Sequence, residues 1–167
     1  QDRSSAASDV YKRQSLTKIM TSYILAEEVD AGRASLDDMI KVSRNAWSQN
    51  PTFKGSSLMW IEPGKPVSLA DLERGVVISS GNDASVAVAE HLAGTESSFV
   101  DVMNQLAAEL GLDNTVYRNP HGLPHPEHRT TARDLATLSV ALINGHPEHY
   151  KIYKEQSFTY NGIKQYN

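Results

Sequence analysis

The stretch from Ser15 to Asp30 sets the terms for the rest of the chain. Leu16, Ile19, Met20, Tyr23, Ile24 and Val29 recur at helical spacing and Gly32 follows, which predicts one helix. Its apolar face is broad and must be covered on most sides, so the helix belongs in the centre of a domain. At its start stand Ser15 and Lys18, three residues apart and therefore on one face, with hydroxyl and amine within proton-transfer reach. A serine hydroxyl is a good nucleophile only when its proton is removed. A lysine can remove it only if burial or a nearby cation keeps the amine neutral. The unpaired N–H groups of a helix beginning at Ser15 would add half of an oxyanion site. Spacing alone is weak, because a chain with this serine and lysine content holds about one Ser-x-x-Lys by chance. Ser15 also suits a plain N-cap, and Lys18 a solvated helix lysine.

A chain of 167 residues with 40% hydrophobic content supports one domain with a real core. Its net charge of −4 and interleaved basic residues show neither a nucleic-acid footprint nor a polybasic membrane patch, so no nucleic-acid partner is expected. Cysteine is absent, which excludes disulfides and thiolate metal sites. His121, His125 and His128 have a spacing open to zinc, but Pro124 and Pro126 break any helix that would align them. No cofactor or metal is expected. No apolar run is long enough to span a membrane. Residues 1–14 are polar, aperiodic and unlike a signal peptide, and are left unassigned as foreign or disordered sequence. The chain stops at Asn167 inside an apparent strand, which reads as a fragment of a longer protein.

Beyond the first helix, Met39–Val42 and Ser57–Ile61 read as short strands or extended pieces around a loop containing Asn50-Pro51 and Lys54-Gly55. Ser68-x-x-Asp71 opens a helix from Leu69 to about Ile78, which runs into Ser79-Ser80-Gly81-Asn82. Small residues from Asp83 to Ala93 predict a tightly packed helix closed by Gly94, and a further helix covers about Ser97 to Leu110. A loop from Asn114 to Arg129 follows, then a helix capped by Thr130 or Thr131 and reaching about Asn144. Pro147 begins a short one to about Lys154. Alternation on both sides of Asn161-Gly162 predicts a type I′ hairpin. The whole is helix-rich with strands at its margins, so its partner sheet must lie largely outside these residues.

Ser80-Gly81-Asn82 is the second chemical feature. In acyl transfer, a second hydroxyl can relay a proton to a leaving amine, and a carboxamide can hold a substrate peptide group. The same triplet also suits an ordinary helix–turn–helix corner with Asn82 as the cap.

Together the two motifs resemble the active-site serine penicillin-interacting enzymes, in which a Ser-x-x-Lys helix, a Ser-x-Asn loop and a Lys-Thr-Gly strand surround one cleft. The likeness extends to Phe53-Lys54-Gly55-Ser56-Ser57-Leu58-Met59, Asn119-Pro120-His121-Gly122-Leu123, Thr131-Ala132-Arg133-Asp134 and Phe158-Thr159-Tyr160-Asn161-Gly162-Ile163. In that order these blocks look like the D-alanyl-D-alanine carboxypeptidases of the low-molecular-mass penicillin-binding type. The resemblance implies an α+β chain, the helix-rich part of the β-lactamase/transpeptidase-like fold, with most of the central antiparallel sheet missing from this fragment. Residues 15–167 would be a partial catalytic domain.

The resemblance further implies that Ser15 attacks the peptide bond between the terminal D-alanines of a peptidoglycan stem peptide. Lys18 would act as base, Ser80 as proton shuttle, and Asn82 with Gly81 as the substrate-amide subsite. β-Lactam antibiotics would acylate the same serine. The family's Lys-Thr-Gly does not occur in these residues, so this polypeptide alone is expected to be acylated by penicillin poorly or not at all. The family's location is the periplasmic or extracytoplasmic face of the inner membrane, with signal and anchor only in a full-length protein. His121 and Arg133-Asp134 are read as structural. A class A-like β-lactamase is the nearest rival, but it normally carries Ser-Asp-Asn at this corner and a Glu-x-x-x-Asn loop not found here. A non-catalytic cell-wall-binding homologue is the rival from another class.

Overall fold

The computed structural model describes residues 2–167, with side chains from Gln14 onward; the reading of residues 1–14 as foreign or disordered sequence lies, Gln14 apart, outside the described side chains. Helix α1 spans Asp2–Asp30 and is followed by β1 (Met39–Ile40), a 3-10 turn (Pro51–Phe53) and β2 (Val67–Ser68). Then come α2 (Leu69–Val77), α3 (Asn82–Ala93), α4 (Glu96–Glu109), α5 (Ala132–Gly145) and α6 (Pro147–Tyr150). A 3-10 turn (Lys151–Lys154) leads into the hairpin β3 (Ser157–Tyr160) and β4 (Ile163–Tyr166).

Helix α1 runs between two apolar clusters. Leu25 belongs to one with Met59, Ile61, Leu69, Leu72, Val76 and Val88. Met20, Tyr23 and Ile24 belong to the other with Phe99, Met103, Tyr117, Leu138 and Leu142. Met20 and Leu25 are fully buried, and burial of each stabilises by about 1.5–3 kcal/mol. The breadth of the apolar face thus has its expected consequence, a central helix.

One expectation fails here and one open reading is settled. The helix does not begin at Ser15, because residues 2–14 contain neither Gly nor Pro to stop it, so Ser15 lies in its interior. The N–H groups there belong to the intrahelical ladder, and the half oxyanion site expected from a helix start is not formed. Of the two readings of Ser57–Ile61, the structure takes the extended piece and not the strand. The backbone N–H groups of Met59, Trp60 and Ile61 all donate to the Asp83 carboxylate, at 2.8, 2.9 and 3.2 Å, so they cannot enter a ladder.

The first expected strand survives only as Met39–Ile40, paired antiparallel with Val67–Ser68. The hairpin pairs Ser157 with Tyr166 and Tyr160 with Ile163, and Asn161 and Gly162 both take positive φ, as a type I′ turn requires. Among the described residues these two pairs are the sheets present. Caps settle the helix starts. Ser68 accepts from the Asp71 amide, Thr95 from Ser98 and Thr131 from Asp134, while Gly81 and not Asn82 is the N-cap of α3.

Candidate active site

Ser15 and Ser80 meet across the interface of α1 with the α2–α3 corner, their Oγ atoms 3.3 Å apart. Both line a cavity of about 430 Å³ together with Lys18, one helical turn from Ser15, and with Leu16, Ile19 and Val76. Tyr153 and Asn167 close another side.

Lys18 is almost wholly buried, and its Nζ donates to the carbonyl of His121 at 3.1 Å. Burial lowers its pKa from 10.5 to about 7, against a smaller opposing pull from the Asp83 carboxylate. A large share of this amine is therefore unprotonated at neutral pH and able to accept a proton.

The loop that supplies this carbonyl is pinned to α1. Thr21 Oγ1 donates to the Pro120 carbonyl at 2.6 Å, and Thr17 Oγ1 pairs with His128 Nε2 at 2.8 Å. Burial, ahead of its charged neighbours, lowers the His128 pKa to about 4. Gly122 holds φ +90° so close to the helix that an added Cβ would lie 2.6 Å from Gln14 Cα. Only glycine allows that approach. Asn119 braces the turn from inside, accepting from the Gly122 amide at 2.6 Å and donating to the Leu123 carbonyl at 2.9 Å. His121 is buried, accepts the Leu123 amide at Nδ1, and has Glu96 3.6 Å from Nε2. Asp134 takes the Asn114 amide at 3.0 Å and the Thr115 hydroxyl at 2.6 Å. These are loop-fixing contacts, as read for His121 and the Arg133-Asp134 pair; Arg133 itself is exposed.

The α2–α3 corner holds Ser80 at φ +51°, a region that costs a residue bearing Cβ about 1–3 kcal/mol. Its neighbours impose the shape. The Gly81 amide donates to the Gly75 carbonyl and the Asn82 amide to the Ser57 carbonyl, both at 2.9 Å. Asp83 adds its own bond to the Ala84 amide at 2.8 Å. Burial pushes the Asp83 carboxyl up, opposed by these amide bonds.

Gly81 is buried, and an added Cβ would stand 3.0 Å from both the Met59 amide nitrogen and Asp83 Oδ1. Asn82 is fully buried at the first turn of α3, and among the described residues neither its Nδ2 nor its Oδ1 has a hydrogen-bond partner. An unpaired buried carboxamide is costly and stands ready for a polar group. Ser15, Lys18 and Ser80 thus share one cavity; Gly81 and Asn82 adjoin Ser80 in the chain but are not among the residues lining it. Asp83, Tyr153 and Gln165 were not singled out by sequence reasoning. Only the acid at the start of α3 left a signal there, as a first-turn carboxylate.

Residues 4–167 match the family model for peptidase S11, D-alanyl-D-alanine carboxypeptidase. The chain belongs to this D-alanyl-D-alanine carboxypeptidase family. It is 49% identical over 154 residues to the D-alanyl-D-alanine carboxypeptidase DacC of Escherichia coli, covering 92% of this chain and 38% of that protein. The chain therefore spans well under half the length of that relative. A crystal structure of penicillin binding protein 6B from Escherichia coli matches with a TM-score of 0.89 at 47% identity, over 92% of this chain and 49% of the other. Penicillin-binding protein D2 from Listeria monocytogenes in its ampicillin-bound form matches with a TM-score of 0.75 at 27% identity, over 91% of this chain and 60% of that one. The helix-rich α+β reading agrees with these family folds.

Proposed function

We propose that this chain is the nucleophile-bearing part of a longer serine carboxypeptidase that removes the terminal D-alanine from peptidoglycan stem peptides. The carrying observation is the 3.3 Å approach of the Ser15 and Ser80 hydroxyls in one cavity with a buried lysine whose pKa is about 7. Lys18 takes the Ser15 proton, and Ser15 Oγ forms an ester with the carbonyl carbon of the penultimate D-alanine. Ser80 delivers a proton to the departing amine as the peptide bond breaks, and water then cleaves the ester. Asn82 offers its carboxamide to the acyl-side peptide group, and Gly81, lacking a Cβ, lets the Met59 backbone close on the corner that presents it. β-Lactams acylate the same serine, consistent with the ampicillin-bound relative. Such a substrate places the protein on the extracytoplasmic side of the membrane.

The test is intact-mass analysis of the full-length protein with a labelled penicillin. One label on Ser15, absent in Ser15→Ala, supports the reading; a protein that stays unlabelled refutes it. Release of D-alanine from a pentapeptide, without turnover of the β-lactam ring, separates carboxypeptidase from lactamase. The 167-residue chain alone is expected to label slowly, because it carries no Lys-Thr-Gly.

A further inference from the structure

Gln165 lies on β4 opposite Phe158, and its side chain is turned into the protein, 7% exposed. Its Oε1 accepts a hydrogen bond from Ser79 Oγ. Its Nε2 donates to the Met59 carbonyl at 3.0 Å. Met59 is itself held through its amide by Asp83 Oδ1 at 2.8 Å. One carboxamide therefore joins the residue before Ser80 to the extended segment that grips the start of α3.

The residues flanking the hairpin are tied to α2 and to the 3-10 turn before it. Arg74 on α2 makes two 3.1 Å bonds to the Glu155 carboxylate. Asn167 Nδ2 donates to the carbonyls of Tyr153 and Glu155, each at 3.0 Å, and Tyr153 and Asn167 line the cavity shared with Ser15.

We propose that Gln165 is a positioning residue for acyl transfer: through Ser79 it holds the backbone that aims the Ser80 hydroxyl at Ser15. This rests on the acyl-transfer reading of Ser15, Lys18 and Ser80. The chemistry of the contact selects glutamine. The site presents one hydroxyl that donates and one carbonyl that accepts, and a neutral carboxamide answers both at once. An ionised carboxylate has no donor for Met59. Methionine fills the volume, leaves the buried Met59 carbonyl unpaired and cuts the tie to the half-buried Ser79. Ser80 sits at positive φ, so the turn relaxes when a tether is cut.

The experiment uses the full-length protein with Gln165→Met, Gln165→Glu, Ser79→Ala and the double variant Ser79→Ala with Gln165→Met. Two quantities are read: the rate constant for labelling of Ser15 by penicillin, and hydrogen exchange at the Gly81 and Asn82 amides. Gln165→Met is expected to slow labelling about 10- to 100-fold, the scale of a displaced catalytic group, with little change in half-saturating penicillin. Ser79→Ala should show a similar loss, and the double variant no more than either. In Gln165→Glu the rate relative to the parent should recover as pH falls, because the protonated carboxyl regains a donor.

Exchange at Gly81 and Asn82 should rise about tenfold. An undiminished rate in a folded Gln165→Met or Ser79→Ala protein, losses that multiply in the double variant, or a Gln165→Glu ratio flat with pH overturns the proposal. A parent that never labels refutes the acyl-transfer reading, and exchange at the corner then decides this proposal alone. Unchanged protection overturns it there too.

Discussion

Replacing Lys18 by methionine tests the electrostatic core of the site without relying on catalysis. Burial lowers the amine from 10.5 to about 7, which raises the neutral fraction at pH 7 from about one in three thousand to about one half. The same shift has a stability signature with a definite sign. Between pH 7 and 10.5 the unfolded chain binds a proton at Lys18 that the native protein has released, so native stability rises with pH in that window. The cost of burying the cation is complete below pH 7 and gone above 10.5. Each pH unit is worth about 1.4 kcal/mol, so from pH 7.5 to 9.5 the parent should gain about 2 to 3 kcal/mol relative to Lys18→Met.

Taking the difference between the two proteins cancels tyrosine and other titrations common to both. Urea denaturation at several pH values measures it. The absolute offset is not diagnostic, because methionine leaves the His121 carbonyl unpaired at a cost of about 1–3 kcal/mol. The slope is. A difference flat across pH 7.5–9.5 would refute the idea that this lysine is held neutral by burial, and with it the base assigned to Ser15. In the active full-length protein, labelling should fall about tenfold per unit below pH 7.

Gly122→Ala forces a Cβ to within 2.6 Å of Gln14 Cα at φ +90°, and should lower unfolding free energy in urea by more than about 2 kcal/mol. Asp83→Asn removes the charge that takes the three amides of residues 59–61. It should cost about 3 kcal/mol and speed hydrogen exchange at those amides first. His149 is raised above its ordinary pKa chiefly by its bond to Glu73, with Asp30 on its other nitrogen. Its contribution is complete below the unfolded value near 6.5 and lost as pH rises through the folded value; thermal melts of His149→Gln should lack that decline.

Much of this was legible from local pattern. The breadth of the α1 apolar face foretold a helix covered on both sides, and Asn161-Gly162 foretold the hairpin, because both signals are carried by neighbours in the chain. Ser15, Lys18 and Ser80 stood out through the ordered blocks that resemble a known family, since each short motif alone was weak; the structure brings the three to one cavity, and their roles stay a proposal. What sequence missed is long-range. Ser57–Ile61 has the composition of a strand, but its amides are claimed by a carboxylate more than twenty residues away, at Asp83. The buried state of Lys18 depends on a loop a hundred residues downstream, and Gln165 reads as an ordinary strand residue until Ser79 and Met59 are beside it. The start of α1 was misplaced because a capping serine and an interior serine look alike when no breaker precedes them.

The left-handed backbone at Ser80 sets two demands against each other. Glycine would rest there without strain and would delete the hydroxyl, while threonine would keep the hydroxyl and deepen the strain through its branched Cβ. With the proton relay proposed for Ser80, selection for a sturdier fold and selection for turnover pull this codon in opposite directions, and Ser80→Gly should raise the melting temperature while slowing penicillin labelling of the full-length protein.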